Sequence, residues 1–348
     1  MKKKVRICML GAGRVGKRHS SSILRYIPGG KVVALVDPIE KTLNETGEEF
    51  GIEARYLSLE QALEKIDFEA VVITTPTPTH KPLAVLAASQ GKHVFLEKPM
   101  ALDLRECDEM MEAVNTYGVI LQLGFMRRFD PEFAAAAQRI HAGEIGKPMI
   151  INSLSHGPGV PPGAWARDLK SSNGNLAEVN SHDWDAVRWL SGSNYSRVYA
   201  ETANFKGETN QIFTEHYYDT ALVNIRFESG ALGSISSVCP CGYGYDARME
   251  IIGEKGIMQI GGLNSQAVAV CVNRDQGVVT PIYRTWSERF NLGYIYEMEH
   301  FIDCVQRQKQ PSVGGEEGRW AVAGVLAATK SFLEVRPVSL SEIMDQPQ

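Results

Sequence analysis

Short runs of apolar residues recur through the first 125 residues, and segments with helical spacing separate them. The runs lie at 5–10, 32–36, 70–74, 93–96 and 119–123. Two of the helical segments are 81–90, which stops at a glycine, and 104–117. Strands that are apolar along their whole length and alternate with helices are typical of a parallel sheet covered on both faces. The pattern therefore predicts an α/β domain with a doubly wound parallel sheet over residues 1–125.

Beyond residue 148 the pattern changes, and apolar and polar residues alternate. Alternating segments lie at 218–227, 232–238, 248–252, 258–260 and 267–272, and helical patterns lie at 183–190, 294–306 and 318–335. Alternation is typical of antiparallel strands with one buried and one more polar face. The pattern predicts a C-terminal α+β domain with a large, mostly antiparallel open sheet over residues 126–348. A helix near the C-terminus of this second domain is expected to pack back on the first domain.

The first apolar run leads directly into a glycine-rich turn. Gly11 permits a tight turn, Gly13 lets the backbone approach a pyrophosphate, and Gly16 lets the next helix pack against the strand. The free N–H groups and positive dipole end of that helix face the phosphates. Strand, glycine turn and helix together predict a dinucleotide site in a Rossmann domain. The turn consists of Gly11, Ala12, Gly13, Arg14, Val15 and Gly16.

Asp37 strengthens this prediction, because glycine patterns alone occur in many loops that bind nothing. It ends the second apolar run, about 20 residues after the turn, where an acid accepts hydrogen bonds from an adenosine ribose. The alternative is that Asp37 only starts a turn with Pro38. A carboxylate here would repel a 2′-phosphate, so the sequence favours NAD over NADP. NADP remains an alternative because Lys41, a nearby cation, could pair with a 2′-phosphate.

The length of the chain suggests its number of domains, and its charge and hydropathy exclude some classes of partner. A chain of 348 residues suggests two domains. With 36 basic and 41 acidic residues and a net charge of -5, it lacks the basic footprint of a nucleic-acid binder. The apolar run after the basic start contains Arg6 and breaks at Gly11, too short for a signal peptide, and no run reaches the ~18–20 apolar residues of a membrane span. We expect a soluble, cytoplasmic protein without nucleic-acid or membrane partners.

The six cysteines do not suggest a disulfide framework in a chain of this length. Cys8, Cys107 and Cys304 fall within predicted strands or helices and are expected to be reduced core thiols. Cys239 and Cys241 are two residues apart, without a second pair or a histidine set at zinc-finger spacing. We therefore expect no metal site.

Several motifs together resemble the glucose-fructose oxidoreductase / inositol dehydrogenase / MocA family over about residues 5–340. They are GAGRVG, Asp37, TTPTPTH with GKHVFLEKP, GFMRRFD, GEIGKP, a histidine three residues before an aspartate, and YDARMEIIGEKG. GFMRRFD and GYGYD are most similar to the inositol dehydrogenase branch. The resemblance implies an NAD-dependent oxidoreductase that converts a secondary hydroxyl of a cyclitol or sugar to a ketone.

Ligands of parallel sheets lie beyond the carboxyl ends of the strands, and the family resemblance points to the same places. The further cofactor contacts expected there are Thr75, Pro76, Thr77, His80, Glu97, Lys98, Met126 and Arg127. The resemblance suggests that Met126 and Arg127 line the space for nicotinamide and substrate. An arginine doublet at a domain edge is alternatively solvated.

The resemblance implies that Lys98 reaches the substrate hydroxyl beside the nicotinamide. A partly desolvated lysine near that positive ring should lose its proton more easily and so polarise or deprotonate an alcohol. The alternative is a surface lysine before a turn proline. The Lys98–Pro99 bond is often cis in this family, and we expect the same here.

His182 is the expected proton acceptor. If the chain is helical here, Glu178 lies four residues away on the same face and can orient the imidazole. The family usually has aspartate at that position, so the orienting role of Glu178 stays open. Asp185 matches a family position that binds substrate hydroxyls, although it could instead complement a helix dipole.

Other candidate substrate contacts are Arg127, His156, Trp165, Tyr243 and Tyr245. Tyr243 and Tyr245 match the position of a tyrosine over the substrate, but either could serve packing. The Gly/Pro-rich loop from His156 to Trp165 is expected to form a pocket wall. Inositol enzymes of the family carry a histidine and an asparagine two residues apart, where this chain reads His156-Gly157-Pro158. The inositol ligand set is therefore not assigned.

Two alternatives remain at this point. One is a glycoside 3-dehydrogenase or aldose dehydrogenase on the same scaffold, and the other is a non-catalytic regulator that senses NAD. The family is commonly dimeric or tetrameric, so a homo-oligomer is expected.

Overall fold

The computed structural model describes residues 3–159, 163–209, 214, 216–265, 270–271 and 278–345. The chain folds into two compact units. The first comprises Met1–Phe129 and Leu292–Val322, and the second comprises Asp130–Asn291 and Ala323–Gln348. The domain ranges 1–125 and 126–348 stay a prediction, and the two units are described separately below.

The regular elements are numbered in chain order. The strands are β1 Val5–Leu10, β2 Gly30–Val36, β3 Arg55–Tyr56, β4 Ala70–Ile73, β5 His93–Leu96, β6 Leu121–Leu123, β7 Pro148–His156, β8 Tyr195–Ala203, β9 Thr220–Phe227, β10 Leu232–Val238, β11 Asp246–Gly253, β12 Ile257–Ile260, β13 Val270–Cys271, β14 Val278–Val279 and β15 Val338–Ser339. The helices are α1 Arg14–Tyr26, α2 Glu40–Phe50, α3 Leu59–Lys65, α4 His80–Ser89, α5 Leu104–Tyr117, α6 Pro131–His141, α7 Leu169–Ser172, α8 Gly174–Glu178, α9 Ser181–Ser191, α10 Trp286–Arg289, α11 Asn291–Arg307, α12 Gly315–Glu334 and α13 Ser341–Met344.

The first unit contains a six-stranded sheet in the order β3-β2-β1-β4-β5-β6. All its strand pairs are parallel. This is the strand order of doubly wound dinucleotide-binding sheets, in which ligands lie beyond the carboxyl ends of the strands. The predicted N-terminal Rossmann fold is confirmed.

The core of the first unit uses side chains from distant parts of the sequence. Ile7 of β1 and Phe95 of β5 share a buried cluster with Met298, Phe301 and other apolar residues of α11. Each such side chain contributes about 1.5–3 kcal/mol when buried. Helix α11 is therefore an integral part of the nucleotide-binding unit.

The second unit contains a seven-stranded sheet in the order β12-β11-β7-β10-β9-β8-β15. Only β7 and β10 pair in parallel, and the other neighbours are antiparallel. This confirms the mostly antiparallel open sheet. Most of the strand predicted at 267–272 lies outside the described residues, and its described part, β13, pairs with β14.

The sequence pattern did not predict β7 or β8, although β7 lies in the middle of the sheet. Along β7 the buried positions are Ile151, Ser153 and Ser155. Because two of the three inward residues are serines, hydropathy does not alternate as it does along β9. The serine hydroxyl at 153 is instead satisfied by a buried carboxylate, described below.

None of the helices in the described part of the chain is both long enough and apolar enough to cross a membrane.

Candidate active site

The turn after β1 is built so closely that its first and last glycines cannot be replaced without strain. Gly11 has φ +94°, and a Cβ there would lie 2.8 Å from Oγ1 of Thr74. A Cβ on Gly16 would lie only 1.9 Å from the carbonyl oxygen of Gly11. Gly11 and Gly16 are therefore required by the protein's own packing, as the sequence pattern predicts.

Gly13 differs from the other two glycines of the turn. No described heavy atom lies within 4 Å of a Cβ built on it. It precedes α1, and no side chain caps that helix end in the described structure. The turn thus combines open space with helix N–H groups, which is the arrangement that a dinucleotide pyrophosphate requires. The residues present fit NAD.

Asp37 is held firmly beside the glycine turn. Its Oδ2 accepts a 2.8 Å hydrogen bond from the backbone N–H of Ala12, and its Oδ1 accepts one of 2.9 Å from Ile39. Asp37 is also largely buried. Each carboxylate oxygen keeps a further lone pair, which is what a ribose hydroxyl would use.

Two threonines support the turn and were not among the predicted residues. Thr46 of α2 donates a 2.8 Å hydrogen bond to the carbonyl of Ala12. Thr74 lies within 3.0 Å of the carbonyl oxygens of Leu10 and Gly11. The role of Thr74 could have been predicted from its position directly after β4. Thr46 lies inside a helix, and the sequence there gives no sign of its role.

The loop after β4 is tied to the loop after β5 by His80. Thr75 and Pro76 precede a 3-10 turn at Thr77–Thr79, and His80 begins α4. The imidazole contacts the carbonyl oxygen of Thr75 at 2.9 Å and that of Pro99 at 2.8 Å. Burial lowers the pKa of His80, and the hydrogen bonds to the two carbonyls oppose this shift. These contacts give His80 a structural role in the cofactor loops.

Glu97 and Lys98 follow β5 at the carboxyl edge of the same sheet. Oε1 of Glu97 lies 2.7 Å from Nε2 of His19, and Oε2 accepts a 3.1 Å hydrogen bond from the backbone N–H of Lys98. The Lys98–Pro99 bond is cis, which confirms the expectation. Lys98 itself is partly buried. The buried carboxylate of Glu97 therefore fixes the peptide that carries the lysine.

Met126 and Arg127 lie in a 3-10 turn, Met126–Phe129, shortly after β6. Both are fully buried. The solvated alternative is therefore wrong for Arg127, since a guanidinium is buried only where it is used for contacts.

In the second unit, Glu178 and His182 lie on two successive helices. Glu178 is the last residue of α8 and is partly exposed, whereas His182 lies in the first turn of α9 and is buried. Val179 and Asn180 separate the two helices. The single helix assumed for this segment is thus interrupted, and the role of Glu178 stays a prediction. Asp185 is buried one turn beyond His182.

Asp183 is the supporting carboxylate that sequence reasoning missed. It accepts a 2.5 Å hydrogen bond from Ser153 of β7 and a 2.9 Å hydrogen bond from the side-chain amide of Asn180. It is fully buried. These bonds anchor the start of α9, and with it the backbone of His182, to the sheet.

The start of α8 is anchored in a similar way. The backbone N–H of Leu176 donates a 3.0 Å hydrogen bond to the hydroxyl of Tyr218. Gly174 has φ +69°, and a Cβ there would lie 2.8 Å from the same oxygen. Tyr218, which sequence reasoning did not single out, therefore positions the segment that ends in Glu178.

His156 belongs to a chain of polar groups along the ends of β7, β10 and β11. Its Nδ1 forms a short hydrogen bond with the hydroxyl of Tyr243, and its Nε2 lies 3.0 Å from the hydroxyl of Ser236. Tyr243 in turn donates a 3.1 Å hydrogen bond to Asp246. Burial lowers the pKa of His156, and burial beside Asp246 raises the pKa of Tyr243. At neutral pH this is a chain of uncharged donors and acceptors ending in a carboxylate, which suits polyol hydroxyls.

The remaining two predicted substrate residues are placed less centrally. Trp165 begins a 3-10 turn, Trp165–Arg167, a short way beyond the undescribed residues 160–162. Tyr245 donates its backbone N–H to Tyr283 at 2.8 Å, and its ring packs edge-on against Phe290 at 6.2 Å. These contacts favour the packing alternative for Tyr245.

The structure thus assembles three groups of predicted residues. The glycine turn, Asp37, the loop after β4 and Lys98 gather at one edge of the first sheet. His182 and Asp185 gather at the start of α9 in the second unit, and His156 and Tyr243 at one end of its sheet.

Comparisons with known proteins match both halves of the chain. The family model described as "Oxidoreductase family, NAD-binding Rossmann fold" matches residues 5–125. Its partner, "Oxidoreductase family, C-terminal alpha/beta domain", matches residues 137–340. The matches confirm the resemblance drawn from the motifs.

Individual relatives match along almost their whole length. The chain is 37% identical to scyllo-inositol 2-dehydrogenase (NAD(+)) of Bacillus subtilis, over 98% of this chain and 97% of the relative. It is 35% identical to myo-inositol 2-dehydrogenase of Thermotoga maritima, over 98% and 100%. The crystal structure of Lactobacillus casei scyllo-inositol dehydrogenase with NAD(H) and scyllo-inositol superposes with a TM-score of 0.89 at 26% identity, covering 97% of this chain and 100% of that one. The chain belongs to the glucose-fructose oxidoreductase / inositol dehydrogenase / MocA family of NAD-binding oxidoreductases.

Proposed function

We propose that this protein is an NAD-dependent dehydrogenase that oxidises a secondary ring hydroxyl of an inositol or a related polyol to the ketone. The observation that carries the proposal is the placement of Lys98. It follows β5 at the carboxyl edge of the sheet whose first strand carries the glycine turn. An amine is thereby presented where the ligands of such sheets bind. Similarity to enzymes named inositol dehydrogenases, over at least 97% of each chain, supports the substrate class.

The residues of the first unit would bind and orient the cofactor. The backbone of the glycine turn faces the pyrophosphate, and Asp37 accepts hydrogen bonds from the adenosine ribose. A carboxylate fixed by two backbone N–H groups cannot turn away from a 2′-phosphate, which supports NAD over NADP. NAD supplies the nicotinamide ring that accepts hydride from the carbinol carbon.

Lys98 and His182 would assist the removal of the proton from the alcohol. When the carbinol carbon loses hydride, the hydroxyl must lose its proton for a ketone to form. In the proposal, His182 accepts this proton and Lys98 polarises the hydroxyl oxygen. Asp185 binds a neighbouring hydroxyl, and Glu178 orients the imidazole from the end of α8.

A substrate panel tests the proposal. The purified protein is mixed with NAD and, separately, scyllo-inositol, myo-inositol, a methyl glucoside and glucose, and NADH is followed by its absorbance. Turnover of an inositol with a kcat/KM at least about 10-fold above that for the other compounds is expected. NADP in place of NAD is expected to give much lower turnover. Absence of NADH formation across the panel would contradict the proposal and favour an NAD-sensing regulator.

One observation favours a second candidate substrate class. His156 lies among Tyr243 and Ser236 and is followed by Gly157-Pro158, where the inositol enzymes of the family place an asparagine. A pocket wall that differs at this point suits a different ring substituent. Turnover of the glucoside but not of the inositols would identify a glycoside 3-dehydrogenase.

We also propose that the protein works as a homo-oligomer, a dimer or tetramer, in the cytoplasm. The outer face of the second sheet supports self-association, because it exposes Leu222, Leu232 and Ile257. Apolar side chains gathered on one sheet face commonly pack against another copy. Light scattering coupled to size-exclusion chromatography would give the number of chains, and a monomer would contradict this proposal.

A further inference from the structure

A buried cluster of three titratable side chains in the first unit includes Glu97, which accepts a hydrogen bond from the Lys98 backbone N–H. It consists of His19 of α1, Glu97 after β5, and Glu297 of α11. One nitrogen or oxygen from each lies within 4.8 Å of the others. Glu297 is fully buried, and no described residue offers a hydrogen bond to either of its carboxylate oxygens. Two buried carboxylates this close cannot both remain ionised without compensation.

The charged groups around Glu297 determine how the negative charge of the two carboxylates can be balanced. Helix α1 contributes Arg18 and His19, the end of β5 contributes Glu97, and α11 itself contributes the phenol of Tyr294. The Arg18 guanidinium already supplies one positive charge against the two carboxylates. One additional proton therefore makes the group neutral, whereas a divalent cation would leave it positive.

The geometry also favours a proton over a metal ion. Nε2 of His19 and Oε1 of Glu97 are 2.7 Å apart, which is an ordinary hydrogen-bond distance. Two ligands of a tetrahedral zinc ion, with metal–ligand distances near 2.0–2.1 Å, would lie roughly 3.3 Å apart. The histidine and the first carboxylate are thus joined directly.

The position of the proton follows from the hydrogen bonds. A protonated imidazole needs two acceptors, but Nδ1 of His19 is buried and has none among the described residues. Glu97 accepts hydrogen bonds at both oxygens, from His19 and from the Lys98 N–H, so its ionised form is stabilised. The neutral group is therefore Glu297. In agreement, burial and the neighbouring charge of Glu97 raise the pKa of Glu297, and Arg18 opposes them.

We propose that Glu297 is a positioning residue that stays protonated up to at least pH 8, so that Glu97 alone carries the charge that holds the Lys98 peptide. This inference rests on the proposed function only in the role it gives to Lys98. An ionised Glu297 would repel Glu97 and loosen its hydrogen bonds to His19 and Lys98. Glu297 lies 200 positions from Glu97 in the sequence, and no family motif quoted above includes it.

The protonation state is tested without any substrate. Full-length wild type, Glu297→Gln and the control Glu299→Gln are compared by infrared spectroscopy at pH 8. Glu299 lies on the same helix but is exposed. We expect a protonated-carboxyl band in the wild type and in the control, and its absence in Glu297→Gln. A wild type without this band at pH 8 would overturn the proposal.

Thermal unfolding between pH 5 and pH 8 gives an independent measure. A group whose pKa is higher in the folded chain stabilises it fully below the unfolded pKa, and this stability is lost as pH rises through the folded pKa. Glutamine cannot ionise, so Glu297→Gln does not lose this stability. The unfolding midpoint of Glu297→Gln minus that of the wild type should therefore increase by at least about 4 °C between pH 5 and pH 8. A difference that does not change with pH would overturn the proposal. The proposal would also be overturned if the purified wild type contained one divalent metal ion per chain and Glu297→Gln contained none.

The positioning role is tested through Glu97. Glu97→Gln removes the charge but keeps the shape, so we expect kcat to fall at least about 10-fold while the Kd for NADH changes less than about 3-fold. For Glu297→Gln, the ratio of kcat at pH 9 to kcat at pH 7 should exceed that of the wild type. An unchanged kcat in Glu97→Gln would refute the positioning role. If the wild type turns over no polyol at all, the proposed function fails, but the infrared and unfolding results still decide the protonation of Glu297.

Discussion

The two units hold their predicted functional residues in place by different kinds of contact. In the first unit the cofactor region is mostly backbone: the glycine turn, the N-terminus of α1 and loop carbonyls held by His80. In the second unit His182 depends on side chains, because Asp183 and Tyr218 anchor the short helices around it. A backbone site needs particular residue types at fixed spacing, so it can be recognised in the sequence. A side-chain site needs partners that only folding brings together.

The largest expected effects come from the two reacting groups, one in each unit. Lys98→Ala and His182→Ala should each lower kcat at least about 100-fold, because each removes a group that polarises or accepts the alcohol proton. The Kd for NADH, measured by its fluorescence, should change less than about 3-fold. Lys31→Ala, which changes an exposed lysine of β2, serves as the control. Full activity in either variant would remove that residue from the mechanism.

The backbone character of the cofactor region is tested by two matched glycine variants. In Gly16→Ala the new Cβ would meet the Gly11 carbonyl oxygen at 1.9 Å, so the turn must distort, at a cost of roughly 1–3 kcal/mol or more. Gly13→Ala has open space within the protein, so its melting temperature should stay within about 2 °C. Its Kd for NADH should nevertheless rise at least about 10-fold, because the methyl group occupies the pyrophosphate position. Equal NADH affinity in Gly13→Ala and wild type would place the phosphates elsewhere.

Asp37→Ala separates the two roles of the carboxylate beside the glycine turn. The backbone N–H of Ala12 loses its acceptor, which costs about 1–3 kcal/mol of stability if it is left unsatisfied. We expect the KM for NAD to rise about 10-fold and the preference for NAD over NADP to shrink. A preference that survives unchanged would show that Asp37 supports the turn alone.

The smallest effects are expected at the polar chain of the second sheet. Tyr243→Phe removes the hydroxyl that joins His156 to Asp246. We expect the KM for the polyol to rise about 3-fold to 10-fold, with kcat within about 2-fold and NADH affinity unchanged. Tyr199→Phe, which changes a partly buried tyrosine of β8, is the control. A change in kcat larger than that in KM would place Tyr243 closer to the reacting atoms than proposed.

The same contrast explains what the sequence could predict. The parallel sheet, the glycine turn and Asp37 were predicted because each leaves a local pattern of a few residues, whereas the cis bond at Lys98 was expected from the family resemblance alone. Strand β7 was missed because serines occupy its buried face, and Asp183, the partner of Ser153, lies 30 positions away. The break between α8 and α9 was missed as well. The start of α8 is fixed by the hydroxyl of Tyr218, 42 positions from Leu176.

Helix α11 has a consequence for how the chain becomes folded. The apolar face that it places on β1 and β5 belongs to residues translated long after the glycine turn. Until they emerge from the ribosome, Ile7 and Phe95 lack part of the surface that covers them in the native protein. A fragment that stops at residue 125 should therefore expose an apolar patch, aggregate readily and bind NADH poorly, even though it contains every residue of the nucleotide motif. The cofactor-binding unit is complete only when nearly the whole chain has been synthesised.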